Sequence, residues 1–257
     1  MEDGAKAISI SWGHNEHDGN HNGAMERALL QARDAGATVC VAAGDGGSGN
    51  NRLKPPDYAV RTDTAYPSRD GFAHVCYPAS SPLVLACGGT ELGDGGKEVV
   101  WNRSSRGGGA TGGGVSNVFL RPSHQPEVHS ANRGERAGRV VPDVAALAAF
   151  TEWQVGERRG VSSVTGGTSA VAPLWASLIA LVNQRRAGMG KRPVGFVNEA
   201  LYNADRAALF HDIVHGSNGP VSDEGFPSYR ALNGFDACTG LGSPKAAAVL
   251  DVLVGLP

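Results

Sequence analysis

The stretch Thr165–Gln184, TGGTSAVAPLWASLIALVNQ, carries the residue best suited to chemistry. Gly166, Gly167 and Thr168 make a tight entry to it. Ser169 follows, and then the apolar run Ala170, Val171, Ala172, Leu174, Trp175, Leu178, Ile179, Leu181 and Val182. A run this apolar predicts a helix buried on most sides. Pro173 falls in its first turns, where a missing N–H costs little. Ser169 thus stands at a helix N-terminus, where the dipole favours the negative charge that a nucleophilic hydroxyl develops. The plainer alternative is that Ser169 only caps the helix. A second candidate is Asp45, which follows the predicted buried strand Thr38–Ala43 and precedes two glycines. A carboxylate at the carboxyl end of such a strand is a site candidate, and a turn-forming Asp is the alternative. His14, Glu16, His17, Asp18 and His21 resemble a metal cluster in composition. Their spacing, broken by Gly19-Asn20, fits no helical ligand face, so this segment reads as a solvated loop.

Other elements must hold these groups in place. Ala5–Ser11 is rich in β-branched residues and predicts a buried strand. Its end, Ser11-Trp12-Gly13, is where ligands approach in parallel α/β sheets. Gly23–Ala35 predicts a helix with Ala24, Ala28, Leu29 and Ala32 inward and Gly36 as its stop. Leu83–Cys87 and Val99–Trp101 predict strands, and Pro142–Ala148 is an apolar segment carrying Asp143. Glu152–Val155 and Gly160–Val164 predict a hairpin, and Asn198–Ala204 and Lys245–Val254 helices. The loop 50–74 is longer than most connections. This alternation predicts a parallel α/β sheet with helices on both faces. With neither repeat nor linker, residues 1–257 read as a single domain.

Bulk properties narrow the class. A net charge of −2 gives no reason to expect nucleic acid or an anionic membrane as partner. The one long apolar stretch is shorter than a membrane span and is broken by Ser169, Pro173 and Ser177. The acidic start carries no signal-peptide pattern. Cys40, Cys76, Cys87 and Cys238 match no zinc spacing. Cys40 and Cys87 read as buried small hydrophobes, and a disulfide among the four stays open.

Gly-Thr-Ser-x-x-x-Pro opening a buried helix is the nucleophile motif shared by subtilisins and sedolisins. ISISWG (Ile8–Gly13), AAGDGGSG (Ala42–Gly49), PASSPLVLACGGT (Pro78–Thr90), TGGGVS (Thr111–Ser116), FHDI (Phe210–Ile213) and GFDACTGLGSP (Gly234–Pro244) select between them. In this order they resemble the sedolisins, the serine-carboxyl peptidases, and come closest to the kumamolisin branch. None of the eight histidines has subtilisin-like surroundings. The resemblance implies a subtilisin-like fold and an acid-active endopeptidase that cleaves peptides or proteins outside the cell. It makes Ser169 the nucleophile, Asp45 the oxyanion acid and Ser11, Trp12 and Gly13 the substrate-binding edge. It also implies a bound Ca²⁺, held by the side chains of Asp212 and Asp236 and the carbonyls of Ile213, Leu232 and Gly234. Leu232 stands where the family usually has Gly, but only its carbonyl would be used.

The resemblance also implies a Glu base and a supporting Asp on a helix N-terminal to ISISWG. Glu2 and Asp3 are the only acids before Ile8, with no room for such a helix. Glu16, Asp18 and Asp143 do not match the motif. The expectation is a catalytic domain lacking its N-terminal part, completed by a separate segment that brings the Glu and Asp. The alternative is an inactive, calcium-binding remnant with the same fold. A nucleophile-elbow esterase is disfavoured because Ala170, not Gly, follows Ser169.

Overall fold

The computed structural model describes residues 4–17, 23–49, 71–106, 108–132, 137–149, 153–158, 161–219 and 225–257. The chain opens with β1 (Ala7–Ile10), β2 (His14–Asn15), α1 (Gly23–Asp34), β3 (Thr38–Ala42) and β4 (Cys76–Tyr77). It continues through β5 (Leu85–Leu92), β6 (Glu98–Val100), β7 (Gly114–Leu120), β8 (Gly138–Val141) and β9 (Val144–Leu147). The hairpin β10 (Trp153–Arg158) and β11 (Val161–Thr165) leads into α2 (Thr168–Gly188). Then come α3 (Asn198–Asn203), α4 (Arg206–Leu209), β12 (Phe210–His211), β13 (Ser243–Pro244) and α5 (Ala246–Gly255).

β1, β3, β5 and β9 pair in parallel in that order, and β6 adds antiparallel to the far end of β5. Central parallel strands are covered on both faces and so read as continuous apolar runs. In β3 alternate residues serve the two sides. Val39 and Val41 pack with Leu29 and Ala32 of α1. Cys40 and Ala42 pack with Val171, Trp175, Ile179 and Val182 of α2. Two helical layers therefore enclose the sheet, as the sequence predicts.

Several expectations need correction. Among the described residues β1 is an edge strand, and its Ile8 and Ile10 are only half-buried. A β-branched run fits a half-covered edge as well as a covered centre, so composition alone does not separate them. On α1 the inward residues are Met25, Leu29 and Ala32, while Ala24 and Ala28 are exposed. α2 is buried on most sides, as expected, with one exposed stripe formed by Ser169, Pro173, Ser177, Ala180, Leu181 and Gln184. That stripe mixes Ser169, Ser177 and Gln184 with Pro173, Ala180 and Leu181, so it leaves no continuous polar face in the sequence pattern. β5 runs on through Gly88 and Gly89 to Leu92. A Cβ on Gly88 would lie 2.5 Å from Pro142, and one on Gly89 2.7 Å from Ala148. These glycines mark close packing rather than a strand end.

Two buried cations tie the layers together. Arg139 and Asp143 are fully buried and paired at 2.7 Å. Asp143 also accepts from the Ala86 N–H (2.7 Å), Gln125 Nε2 (3.0 Å) and the Tyr202 hydroxyl (2.9 Å), which joins β5, β9 and α3. Burial disfavours the charged guanidinium, but Asp143 outweighs this and holds Arg139 above its ordinary range. Arg186, in the last turn of α2, donates to the oxygens of Arg192, Leu253, Leu256 and Pro257 at 2.7–3.1 Å. It closes the carboxyl end of α5, where carbonyls lack helical partners. The four cysteines are buried free thiols.

Candidate active site

The turn before α2 sets the geometry. Gly167 is the N-cap, at φ +80°, and offers no side-chain cap. Ser169 is therefore the second residue of the helix and not its cap. A Cβ at Gly167 would also lie 2.3 Å from Asp45 Oδ2, so glycine is needed twice over there. Asp45 follows β3, and the two segments meet through its carboxyl group. Asp45 Oδ1 accepts from the Thr168 N–H and from the Thr168 hydroxyl, both at 2.8 Å. The Thr168 hydroxyl in turn accepts from the Gly44 N–H at 3.0 Å. Behind Asp45 the glycine-rich segment closes in, with Ala110 N–H on the Asp45 carbonyl at 3.0 Å and Gly112 N–H on the Gly44 carbonyl at 2.7 Å.

Ser169 is exposed and lies beside the end of β1. Its hydroxyl reaches the Ser11 carbonyl at 3.4 Å, and Ser11 Oγ donates to the Ser169 carbonyl at 3.1 Å. Among the described residues, no carboxylate bonds to the Ser169 hydroxyl. Ser11, Trp12 and Gly13 are all exposed, Trp12 by 57%. They continue the β1 edge, which has no strand on its outer side among the described residues. Such an edge offers backbone groups to an extended peptide. A Cβ on Gly13 would lie 2.5 Å from Cys76 Sγ, so the thiol backs this edge directly. The structure thus brings Ser169, Asp45 and Ser11 to one end of the sheet.

The His14–His21 segment differs from the solvated loop expected. Glu16 is buried and accepts from Ser116 Oγ (2.7 Å) and the Asn117 N–H (2.8 Å), which anchors the segment to β7. His14 and Asn15 pair with Tyr77 and Cys76. Asp18 and His21 lie outside the described residues, as do Glu2, Asp3 and most of the loop 50–74. Asp143 belongs to the buried core network and not to the site. The sequence reading missed Thr168. Its sequence signal is only a hydroxyl one residue ahead of the serine; the fold brings it to Asp45, 123 residues earlier.

Asp212 and Asp236 come together through one loop. Gly234 N–H donates to Asp212 at 3.0 Å, and Leu232 N–H to Asp236 at 3.1 Å. Asp236 also accepts from the N–H groups of Cys238 (2.8 Å) and Thr239 (2.9 Å). Burial pushes the Asp236 carboxyl up, beyond what these donors pull back. Partial burial pushes Asp212 up as well, but the bidentate Arg206 (2.7 and 3.1 Å) and the Gly234 N–H outweigh it and hold it below its usual range. Among the described residues, no group of three or more His, Cys, Asp or Glu side chains gathers. The chemistry here is oxygen-only: two carboxylates, with the carbonyls of Ile213, Leu232 and Gly234 on the same loops. That donor set fits a hard cation such as Ca²⁺, with Arg206 as its competitor for Asp212.

Comparison with known proteins gives this arrangement a context. Residues 1–215 match the model of the subtilase family. The chain is 43% identical to kumamolisin of Bacillus sp. (strain MN-32), over 96% of this chain and 42% of that protein. It is 31% identical to human tripeptidyl-peptidase 1, over 88% of this chain and 39% of that protein. Its fold superposes on a Pseudomonas sedolisin, described as a serine-carboxyl proteinase complexed with two molecules of pseudo-iodotyrostatin. There the TM-score is 0.72 and the identity 31%, over 96% of this chain and 64% of that one. The chain thus spans less than half the length of both curated relatives.

Proposed function

Because the chain belongs to the subtilase family, on its sedolisin side, we propose that it is part of an acid-active serine-carboxyl endopeptidase. Ser169 is the nucleophile and attacks the scissile carbonyl of an extended peptide paired with Ser11-Trp12-Gly13. Asp45, in its protonated form, donates a hydrogen bond to the oxyanion. A Glu and an Asp supplied by a segment outside residues 1–257 act as base and supporting acid. This gives a bell-shaped pH dependence: the base must be ionised while Asp45 keeps its proton. The reading includes an extracellular setting. No helix among the described residues is long and apolar enough to cross a membrane.

The observation that carries this reading is the joining of Asp45 to the turn of Ser169 through Thr168, at 2.8 Å. A Ser that merely capped a helix would need no such carboxyl beside it. The test is cleavage of a peptide panel by the completed enzyme. Asp45→Ala, which removes the donor where Asn would keep one, should lower kcat by about 10²–10³-fold, the loss typical of one oxyanion donor, with KM little changed. Unchanged kcat in that variant would remove Asp45 from the mechanism.

The proposal also includes Ca²⁺, held by the side chains of Asp212 and Asp236 and the carbonyls of Ile213, Leu232 and Gly234. The ion supplies positive charge between two carboxylates and so ties their loops together. With calcium a hundredfold above its Kd, the gain is about 2.7 kcal/mol, or roughly 5–10 °C in Tm for a domain of this size. A chelator should remove that gain, and Asp236→Ala should make Tm indifferent to the chelator. Arg206→Ala, by freeing Asp212, should tighten calcium binding. Melting curves unmoved by chelator in the unaltered chain would rule the ion out.

A further inference from the structure

A neutral carboxyl group has one oxygen that accepts and one that carries the proton. Only the second can donate to an oxyanion, so which one it is decides whether Asp45 can serve. Both donors of Thr168, its N–H and its hydroxyl, converge at 2.8 Å on the same oxygen, Oδ1. The hydroxyl is not free to turn the other way. The Gly44 N–H donates to it at 3.0 Å, which directs its own proton toward Asp45. Its methyl group packs toward Gly89, where a Cβ would lie 3.5 Å from it. The other carboxyl oxygen, Oδ2, lies against Gly167, two residues ahead of Ser169.

We propose that Thr168 is a positioning residue that selects the protonated oxygen of Asp45. By donating twice to Oδ1 it keeps that oxygen an acceptor and sends the carboxyl proton to Oδ2, on the side of the Gly167 turn. The inference deepens the oxyanion role given to Asp45 above and rests on it. Thr168 does not touch the reacting atoms; it acts through Asp45. The same hydroxyl proton stabilises the ionised carboxylate more than the neutral acid, so its removal should raise the midpoint at which Asp45 titrates.

The experiment follows the Asp45 carboxyl by NMR in the chain as it stands, labelled with ¹³C at Asp carboxyl carbons and assigned through Asp45→Asn. Three forms are titrated: unaltered, Thr168→Val and Thr168→Ser. Valine keeps the branched shape and the methyl but loses the donor; serine keeps the donor and loses the methyl. Thr168→Val should raise the Asp45 midpoint by about one pH unit, whereas Thr168→Ser should titrate with the unaltered chain. In the unaltered chain the Thr168 amide proton should move downfield with the same midpoint as the carboxyl. That reading stands even if the Val variant fails to fold. An unchanged midpoint in Thr168→Val, an equal rise in Thr168→Ser, or a Thr168 amide proton indifferent to the titration would overturn the proposal. None of these readings needs catalysis, so their failure is distinct from failure of the peptidase assignment.

Discussion

Purified on its own, the chain should cleave no peptide at an appreciable rate between about pH 3 and 5, the range in which carboxyl groups titrate. A serine hydroxyl is a weak nucleophile unless a base removes its proton. Among the described residues the only partner of the Ser169 hydroxyl is the Ser11 carbonyl, at 3.4 Å, which accepts a hydrogen bond but cannot serve as a base at these pH values. Loss of one member of a catalytic set lowers kcat by about 10⁴-fold or more, leaving the residual effect of oxyanion stabilisation and binding. Adding the proposed segment that carries the Glu and Asp should bring Ser169-dependent cleavage. The outer edge of β1 and the exposed stripe of α2, both next to Ser169, are the surfaces open to such a segment. The measurement is hydrolysis of a peptide panel by the chain, by the chain plus segment, and by Ser169→Ala in both settings. Robust cleavage by the chain alone that disappears in Ser169→Ala would show that an acid within it acts as base.

The largest stability effect should come from the buried pair Arg139–Asp143. Asp143→Ala leaves a guanidinium without its counter-charge in a fully buried position, with the Val84 carbonyl at 3.2 Å as its nearest remaining partner. Breaking such a pair costs about 3–5 kcal/mol, or roughly 10 °C in Tm here. Replacing both partners by apolar residues often recovers such a loss. It should not do so for Arg139→Met/Asp143→Leu. The Ala86 N–H and the Tyr202 hydroxyl both donate to Asp143 and would then face apolar atoms, whereas Gln125 Nε2 keeps the Val140 carbonyl at 2.9 Å. Unpaired buried donors cost about 1–3 kcal/mol each. Urea unfolding of the single and double variants checks this. A double variant as stable as the unaltered chain would show that the carboxylate is not the hub of the network.

These contrasts show what the sequence could and could not disclose. β3 was legible because a strand covered on both faces must be apolar throughout, and α2 because a long apolar run has few other fates. Ser169 and Asp45 stood out by their motifs, and the structure joins their two separate segments through Thr168. The stripe on α2 was not legible, because Pro173, Ala180 and Leu181 are exposed without being polar. Glu16 looked like a loop acid since nothing near it in sequence signals Ser116 and Asn117, a hundred residues away. Asp143 was similarly opaque. A buried ion pair depends on partners contributed by several elements, and local pattern carries no trace of them. Thr168 shows the same limit at short range, since its partner Asp45 lies 123 residues earlier.

The grip of Arg186 on the end of α5 has a consequence for a molecule whose own kind cuts polypeptides. Proteases take their substrates as extended strands, and the places most open to attack are frayed ends and loose tips. Residues 253–257 are held by a guanidinium rooted in the same helix that begins at Ser169. Lys191 adds bonds to the Val254 and Leu256 carbonyls at 3.1 and 2.8 Å. For the segment to peel away, the Arg186 and Lys191 side chains must first let it go. Protection of this segment from proteolysis is thereby tied to the helix that carries Ser169.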